Sequence, residues 1–176
     1  MDIIIGIDPG SRVTGYGLVR CYPDRLEHLG HGCIRVDHLG QSARLLEIHR
    51  KLLRVVEQYA PAEAAVEEVF MGRNAAAALK LGQARGSAMI ACLAQGLTVA
   101  EYSTRKIKQA VAGTGAAGKE QVQHMVRVLL GIGESVAEDA ADALAVAICH
   151  AHSRGGLAKI AQAASVAAYS RGRFKR

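Results

Sequence analysis

Carboxylates recur at three places where the sequence predicts buried secondary structure. Asp8 ends the first strand, and one of Glu67 or Glu68 ends a later strand. Asp139 and Asp142 lie three residues apart in the first two turns of a helix. Clustered like charges repel one another, and burial disfavours each ionised carboxylate. Hard oxygen ligands favour Mg²⁺ or Mn²⁺. Two such ions about 4 Å apart commonly catalyse in-line displacement at the phosphorus of a phosphodiester. The pattern therefore favours a metal-dependent nuclease over four unrelated structural acids.

The elements that must position these acids follow from hydrophobic periodicity. The apolar run before Asp8 predicts a central strand covered on both faces, and Pro9 and Gly10 bend the chain directly after it. Two strands of alternating character then complete a predicted antiparallel meander. The other predicted elements include long helices before and after the strand that carries Glu67. The predicted ranges are strands over 13–19, 26–36, 64–70 and 97–100, and helices over 42–60, 74–95, 104–112 and 119–130.

The last core helix carries its own start signal. Ser135 and Glu138 form a capping box, which predicts that the helix begins near Val136. Asp139 and Asp142 then share one face of the helix. Neither that face nor the opposite face carries the charged residues that are typical of a solvent-exposed helix surface. The two aspartates are therefore expected to point into the protein.

A glycine-rich stretch over 113–118 imitates two nucleotide-binding motifs. It satisfies G-x-G-x-x-G and, with Lys119, also G-x-x-x-x-G-K, but Glu120 stands where a P-loop needs Ser or Thr to hold Mg²⁺. Both motifs should follow a strand, whereas the residues before this stretch predict a helix. We therefore expect no ATP binding. The stretch is instead expected to present Lys119 to a phosphate backbone, beside Lys106 or Lys108, with a plain helix connector as the alternative.

The region after the strand of Glu67 has two features of its own. Phe70 could pack in the core, the usual role of an aromatic residue, or stack on an unpaired base beside a nuclease centre. Gly82 and Gly86 lie four residues apart in the Ala-rich helix. Small residues on one helical stripe let a second helix approach closely, either in the same chain or in a partner.

Composition restricts the class of protein. Half of the 176 residues are hydrophobic, but no apolar run reaches the roughly 18 residues of a membrane span. Four cysteines without metal-binding spacing indicate the reduced thiols of a cytoplasmic protein. A net charge of +6 favours an anionic partner. We expect one folded domain over 1–152 and a basic, flexible tail over 153–176.

Four stretches of the chain resemble the bacterial crossover-junction endonuclease RuvC family. They are GIDPGSRVTGYG at 6–17, EEVF at 67–70, LKLGQARG at 79–86 and DAADALA at 139–145. The resemblance runs in register from residue 1 to about 152. Several long motifs in one order make it specific.

The resemblance implies an RNase H-like α/β fold, a five-stranded mixed sheet flanked by helices, in a homodimer. It implies a Mg²⁺-dependent resolvase that nicks two opposing strands of four-way (Holliday) junction DNA symmetrically. By position, the family's four catalytic and metal-binding carboxylates fall on Asp8, Glu67, Asp139 and Asp142. Strand alternation leaves the choice between Glu67 and Glu68 open, and the family motif selects Glu67.

The resemblance also implies DNA contacts and protein partners. The family's base-stacking aromatic falls on Phe70, and its DNA-binding lysines fall on Lys108 and Lys119. Arg73, three residues after Phe70, is expected to bind DNA as well. The implied protein partners are the branch-migration proteins RuvA and RuvB.

Two alternatives remain at this point. The chain could be a nuclease of the same fold that acts on other nucleic-acid structures. It could also be a non-catalytic junction-binding module that uses only its basic loop and tail, although a pure binder of polyanions gains nothing by gathering carboxylates. ATPases that open with a similar strand repeat that unit in a second domain, and 176 residues leave no room for one.

Overall fold

The computed structural model describes residues 1–69 and 74–172, with the backbone alone between 156 and 172. The described chain contains five strands and five helices. In chain order they are β1 (Ile3–Asp8), β2 (Val13–Cys21), β3 (Leu26–Arg35), α1 (Gln41–Tyr59), β4 (Glu63–Glu67), α2 (Ala75–Leu93), β5 (Thr98–Tyr102), α3 (Thr104–Ala112), α4 (Lys119–Leu130) and α5 (Glu138–Gly172).

The five strands form one mixed sheet in the order β3-β2-β1-β4-β5. The first three strands are antiparallel, as the meander predicts, whereas β4 and β5 run parallel to β1. A parallel strand needs a crossover connection, which α1 and α2 supply. The expected five-stranded mixed sheet flanked by helices is confirmed.

Each face of the sheet has its own hydrophobic core. On one face, α1 and α2 cover the sheet, and the fully buried side chains there include Ile5, Ile7 and Leu52. On the other face, α3, α4 and α5 pack around Val126, Leu144 and Ile148. Because β1 is covered on both sides, its apolar run is buried from Ile4 to Ile7, as the sequence predicts.

Glycines on β1 and β2 let α5 lie unusually close to the sheet. A Cβ atom on Gly15 would overlap the backbone carbonyl of Asp139, and one on Gly6 would overlap that of Ala143. A Cβ on Gly17 would come within 2.6 Å of the Leu144 side chain. The missing side chains therefore set the depth at which the first turns of α5 meet β1 and β2.

The start of α5 differs from the prediction. The helix begins at Glu138, two residues after Val136. Among the described hydrogen bonds, none belongs to the capping box, and the Glu138 carboxylate accepts from Lys119 instead. Val136 packs instead against the core as part of the segment that leads into the helix.

The C-terminal region continues from this same helix. α5 extends to Gly172, so the predicted boundary at residue 152 falls inside an element. The division into a folded domain and a flexible tail stays a prediction, and residues 173–176 lie outside the described part. All four cysteines are free thiols. Among the described helices, none combines the length and the apolar character needed to cross a membrane.

Candidate active site

Asp8 and Glu67 lie side by side at one edge of the sheet. β1 and β4 are parallel, and Ile7 is in register with Val66, so the acid that follows each of them ends its strand at the same level. Both acids are half-buried. Glu68 lies one residue beyond the strand, where its backbone N–H donates to the Tyr102 carbonyl at 2.9 Å. Strand pairing therefore brings Glu67 to Asp8.

The first turns of α5 add Asp139 and Asp142 to this edge. The contact between Gly15 and Asp139 fixes the height of the helix, and Gly15 is the register partner of Asp8 on the neighbouring strand. Both aspartates are half-buried, as the sequence predicts. The four acids thus come from three elements that meet at one edge.

Electrostatics indicate that these acids interact. Burial raises the pKa of the Asp8 carboxyl to about 7, and neighbouring negative charges act in the same direction. The neighbours responsible are Asp142, Glu67 and Asp139. Burial also raises the pKa of Asp142 from its ordinary value, although Lys119 opposes that shift. The cluster is therefore short of positive charge.

Lys119 is the cation that reaches this cluster. It is the first residue of α4, and its ammonium group lies 3.1 Å from Asp142 Oδ2 and also donates to Glu138. Partial burial works against its charge, but the hydrogen bonds to these two acids raise the pKa of Lys119 to about 12. The lysine therefore stays charged and neutralises part of the cluster.

A cavity of about 250 Å³ opens beside the carboxylates. Its polar lining includes Glu67, Asp142, Lys108 and Lys119, so two of the acids and both predicted DNA-binding lysines face one space. Lys106, the alternative to Lys108 from the sequence, lies over the Tyr102 ring at 4.6 Å instead. The cavity therefore brings carboxylates and lysines together at one surface.

Three residues for which the sequence predicts no role in this site hold it together. The Thr104 hydroxyl donates to the Glu67 carboxylate, and the Arg85 guanidinium donates to the Glu67 backbone carbonyl at 3.4 Å and pairs with Glu101. Glu138 is the third, through its hydrogen bond with Lys119. These contacts join residues far apart in the chain, so no local pattern reveals them.

The donor set fits a divalent cation. In the part of the chain that the structure describes, no three acidic, histidine or cysteine side chains already converge on one metal position. However, the four acids offer only hard oxygen ligands. Burial and, after it, the neighbouring acids raise the pKa of Asp8, and a divalent cation would offset both effects. Asp8, Glu67, Asp139 and Asp142 are therefore suited to hold such an ion.

The other predicted site features lie nearby or outside the described residues. The stretch over 113–118 connects α3 to α4 and follows a helix rather than a strand, as predicted, and its last glycine is the N-cap that precedes Lys119. Phe70 and Arg73 lie outside the described part of the chain.

The sequence matches one family over most of its length. The family model described as crossover junction endodeoxyribonuclease RuvC matches residues 4–150. A protein of that description from Aeromonas salmonicida is 53% identical over 175 residues, which cover 99% of this chain and all of the relative. Another, from Francisella philomiragia, is 52% identical over 164 residues, covering 93% of this chain and 96% of the relative.

Solved structures agree with this assignment. The Thermus thermophilus RuvC in complex with a Holliday junction substrate has a TM-score of 0.82 at 35% identity, covering 89% of this chain and 97% of that one. The yeast mitochondrial Holliday junction resolvase Ydc2 has a TM-score of 0.61 at 13% identity, covering 84% of this chain and 78% of that one, and shares the fold. From the family match and the full-length relatives, this chain belongs to the crossover junction endodeoxyribonuclease RuvC family.

Proposed function

We propose that this protein resolves Holliday junctions by nicking two opposing DNA strands in a reaction that depends on Mg²⁺. The observation that carries the proposal is the edge of the sheet where four acids meet beside a cavity lined by Lys108 and Lys119. In a protein that only bound DNA, these negative charges would weaken the binding, because they repel the phosphates. Family membership makes the four-way junction the preferred substrate.

Asp8, Glu67, Asp139 and Asp142 would hold two Mg²⁺ ions per subunit, for which Mn²⁺ can substitute. A bound cation supplies positive charge and Lewis acidity at the scissile phosphate. Mutual repulsion among the acids favours binding, because each cation lowers the electrostatic cost of keeping them ionised.

The remaining residues bind and orient. Lys108 and Lys119 hold the phosphate backbone in the cavity, and the N-terminal end of α4 adds its partial positive charge beside Lys119. Thr104 fixes one oxygen of Glu67 by hydrogen bonding and so limits the orientations of that carboxylate. Phe70 and Arg73 are proposed as further DNA contacts, on the family resemblance.

The direct test is incubation of the protein with a synthetic four-way junction and with a linear duplex of the same sequence, each with and without Mg²⁺. The expected result is paired nicking of the junction only when Mg²⁺ is present. Equal cleavage of both substrates would indicate a nuclease for other structures. Tight junction binding with no nicking in any divalent cation would indicate a binding module.

We also propose a homodimer, since paired nicks at symmetric positions call for two sites related by a two-fold axis. The candidate interface is a stripe along α2, spaced three or four residues apart: Leu79, Gly82, Gly86, Ile90 and Leu93. Leu79 is 69% exposed and Ile90 56% exposed. Apart from the helix's own nearby backbone, no atom of the described residues lies within 4 Å of a Cβ added at Gly82 or Gly86, so these glycines do not pack against their own sheet.

Replacement of Gly86 by Leu tests this interface. A bulky side chain should keep the two helices apart and give a folded monomer that makes at most unpaired nicks. Sedimentation measures the assembly, and a thermal melt checks the fold. A dimer that sediments and melts like the wild type would contradict this interface.

The proposed cellular setting follows from the substrate. RuvA and RuvB are proposed as partners because the family resemblance implies them. Cytoplasmic location is proposed because that is where bacterial DNA is found. Neither proposal affects the chemistry of the site.

A further inference from the structure

A second pair of basic residues flanks the carboxylates on the side away from Lys108 and Lys119. Arg12 lies in the turn four residues after Asp8, and Arg35 is the last residue of β3, in register with Val13. Both arginines are exposed. Because neighbouring strands are about 4.8 Å apart, β3 lies about 10 Å from the strand that carries Asp8.

Strand register puts Arg35 on the face of the sheet that carries α5. Gly15 and Cys33 are direct partners, and Gly15 touches the start of α5 at Asp139. Side chains two residues apart on a strand share a face, so Arg35 lies on the same face as Cys33. The guanidinium group therefore stands on the flank of the site formed by β2 and β3.

The backbone around these arginines is fixed by buried polar contacts. Thr14, which is fully buried, donates to the Gly10 carbonyl at 3.1 Å and accepts from its N–H at 3.3 Å. Arg12 accepts a hydrogen bond from Val36 at 2.9 Å through its carbonyl, which joins the turn to the end of β3. Both arginines are thus presented from a rigid base.

Arg44 strengthens the same region. Its guanidinium donates to the carbonyls of Leu39 at 2.7 Å, Asp37 at 2.8 Å and Ser11 at 3.0 Å. One side chain therefore ties the turn after β1 to the segment after β3. Arg44 is committed to backbone carbonyls, whereas Arg12 and Arg35 project their charge outward.

Among the described residues, neither Arg12 nor Arg35 forms an ion pair with a carboxylate. In the described part of the chain, no carboxylate lies within 4 Å of Arg12 or Arg35, and the nearby Asp37 pairs with His38. A guanidinium group matches a phosphate by two parallel hydrogen bonds. Two such groups on a rigid edge, next to the proposed scissile position, are available to bind an external anion such as a phosphate.

We propose that Arg12 and Arg35 form a second phosphate-binding point on the DNA strand that crosses the carboxylates. The strand would be held at Lys108 and Lys119 on one flank and at the two arginines on the other. This inference rests on the proposed function, since it presumes that DNA occupies the site. It adds a contact on the flank formed by β2 and β3, opposite the cavity.

The test is the salt dependence of junction binding, measured by fluorescence anisotropy without divalent cation so that binding is read apart from cleavage. A plot of log K against log salt concentration has a negative slope, and each lost phosphate contact reduces the magnitude of that slope by about 0.9. The double variant Arg12→Gln/Arg35→Gln should therefore reduce it by about 1.8. The matched control is Arg54→Gln. Arg54 is also exposed, but it lies near the end of α1 that approaches the start of β1.

The control should retain the wild-type slope. A double variant that binds like Arg54→Gln would overturn the proposal. The charge-retaining variant Arg12→Lys/Arg35→Lys, checked for folding by thermal melting, should keep most of the slope. Loss of the slope in that variant would assign the arginines a structural role and overturn the proposal as well. Failure of the wild type itself to bind the junction would instead contradict the proposed function.

Discussion

The two ends of β1 and β4 carry the same types of acid with different neighbours. The acids at one end pair with cations, and those at the other end lie among further acids. At the start of these strands, Asp2 and Glu63 both pair with Arg154, which lies 2.5 Å from Glu63. His150 adds a hydrogen bond to Glu63 at 2.6 Å and another to Tyr102 at 2.8 Å. At the other end of the same two strands, Asp8 and Glu67 meet two further acids.

The pKa values express this difference. The hydrogen bond from Arg154 lowers the pKa of Asp2, whereas burial and neighbouring acids raise the pKa of Asp8 to about 7. α5 creates both situations, because its first turns bring Asp139 and Asp142 and its later turns bring His150 and Arg154. The acids that pair with cations fasten the helix to the sheet, and the acids left short of cations form the candidate site.

The largest expected effect is a loss of nicking when Asp8 is replaced, at the end of β1 where the four acids meet. Asp8→Asn should reduce nicking of the junction by about 10³-fold or more, because loss of a metal ligand removes several kcal/mol of transition-state stabilisation and each 1.4 kcal/mol is tenfold. Junction binding should be unchanged or slightly tighter, since one repulsive charge is lost. Nicking and binding assays on the same preparation measure both.

Asp2→Asn, immediately before the same strand, is the matched control. It should nick like the wild type and lose only a little thermal stability, because it removes only exposed ion pairs, with Arg154 and with the N-terminus. Equal loss of nicking in the two variants would remove the distinction between the two ends.

A second prediction concerns the contact that brings α5 to the site. Gly15→Ala should destabilise the fold by roughly 3 kcal/mol and also reduce nicking, because its Cβ would overlap the Asp139 backbone and push the helix away. Gly155 lies in α5 with open space around its Cα, so Gly155→Ala should be neutral or slightly stabilising. Thermal denaturation compares the two, and a Gly15→Ala protein as stable as the wild type would show that the close approach is unnecessary.

A third, smaller effect is a pH dependence of stability without metal. The folded pKa of Asp8 is about 7 against its ordinary value of 3.8, so the native state binds the extra proton and stability falls as pH rises from about 4 to 7. After allowance for partial exposure the loss is on the order of 1–3 kcal/mol. In EDTA at pH 8, Asp8→Asn should therefore melt higher than the wild type, and the two should converge near pH 4. A wild type that melts at or above the variant at pH 8 would contradict the raised pKa.

Much of the fold could be predicted because its signals are local. The buried run of β1, the alternation of β2 and β3, and the helical spacing of α1 and α4 depend on neighbouring residues alone. The positions of Asp8, Asp139 and Asp142 at the ends of elements followed from the same patterns. The choice of Glu67 over Glu68 needed the family motif.

Features that depend on distant contacts could not be predicted. Glu138 was expected to cap its own helix, but Lys119, 19 residues away in sequence, binds its carboxylate instead. Arg154 meets Glu63 across 91 residues, and Thr104 meets Glu67 across 37. Such pairs arise only when the sheet order and the path of α5 are known.

The central claim is that the acids short of cations hold a divalent metal ion, whereas the paired acids do not. Its most direct test is a titration of the DNA-free protein with Mn²⁺, followed by electron paramagnetic resonance of the free ion. The wild type and Asp2→Asn should bind Mn²⁺ with the same saturable affinity, and Asp8→Asn should bind it at least tenfold more weakly. Equal Mn²⁺ affinity in Asp8→Asn and the wild type would contradict the account.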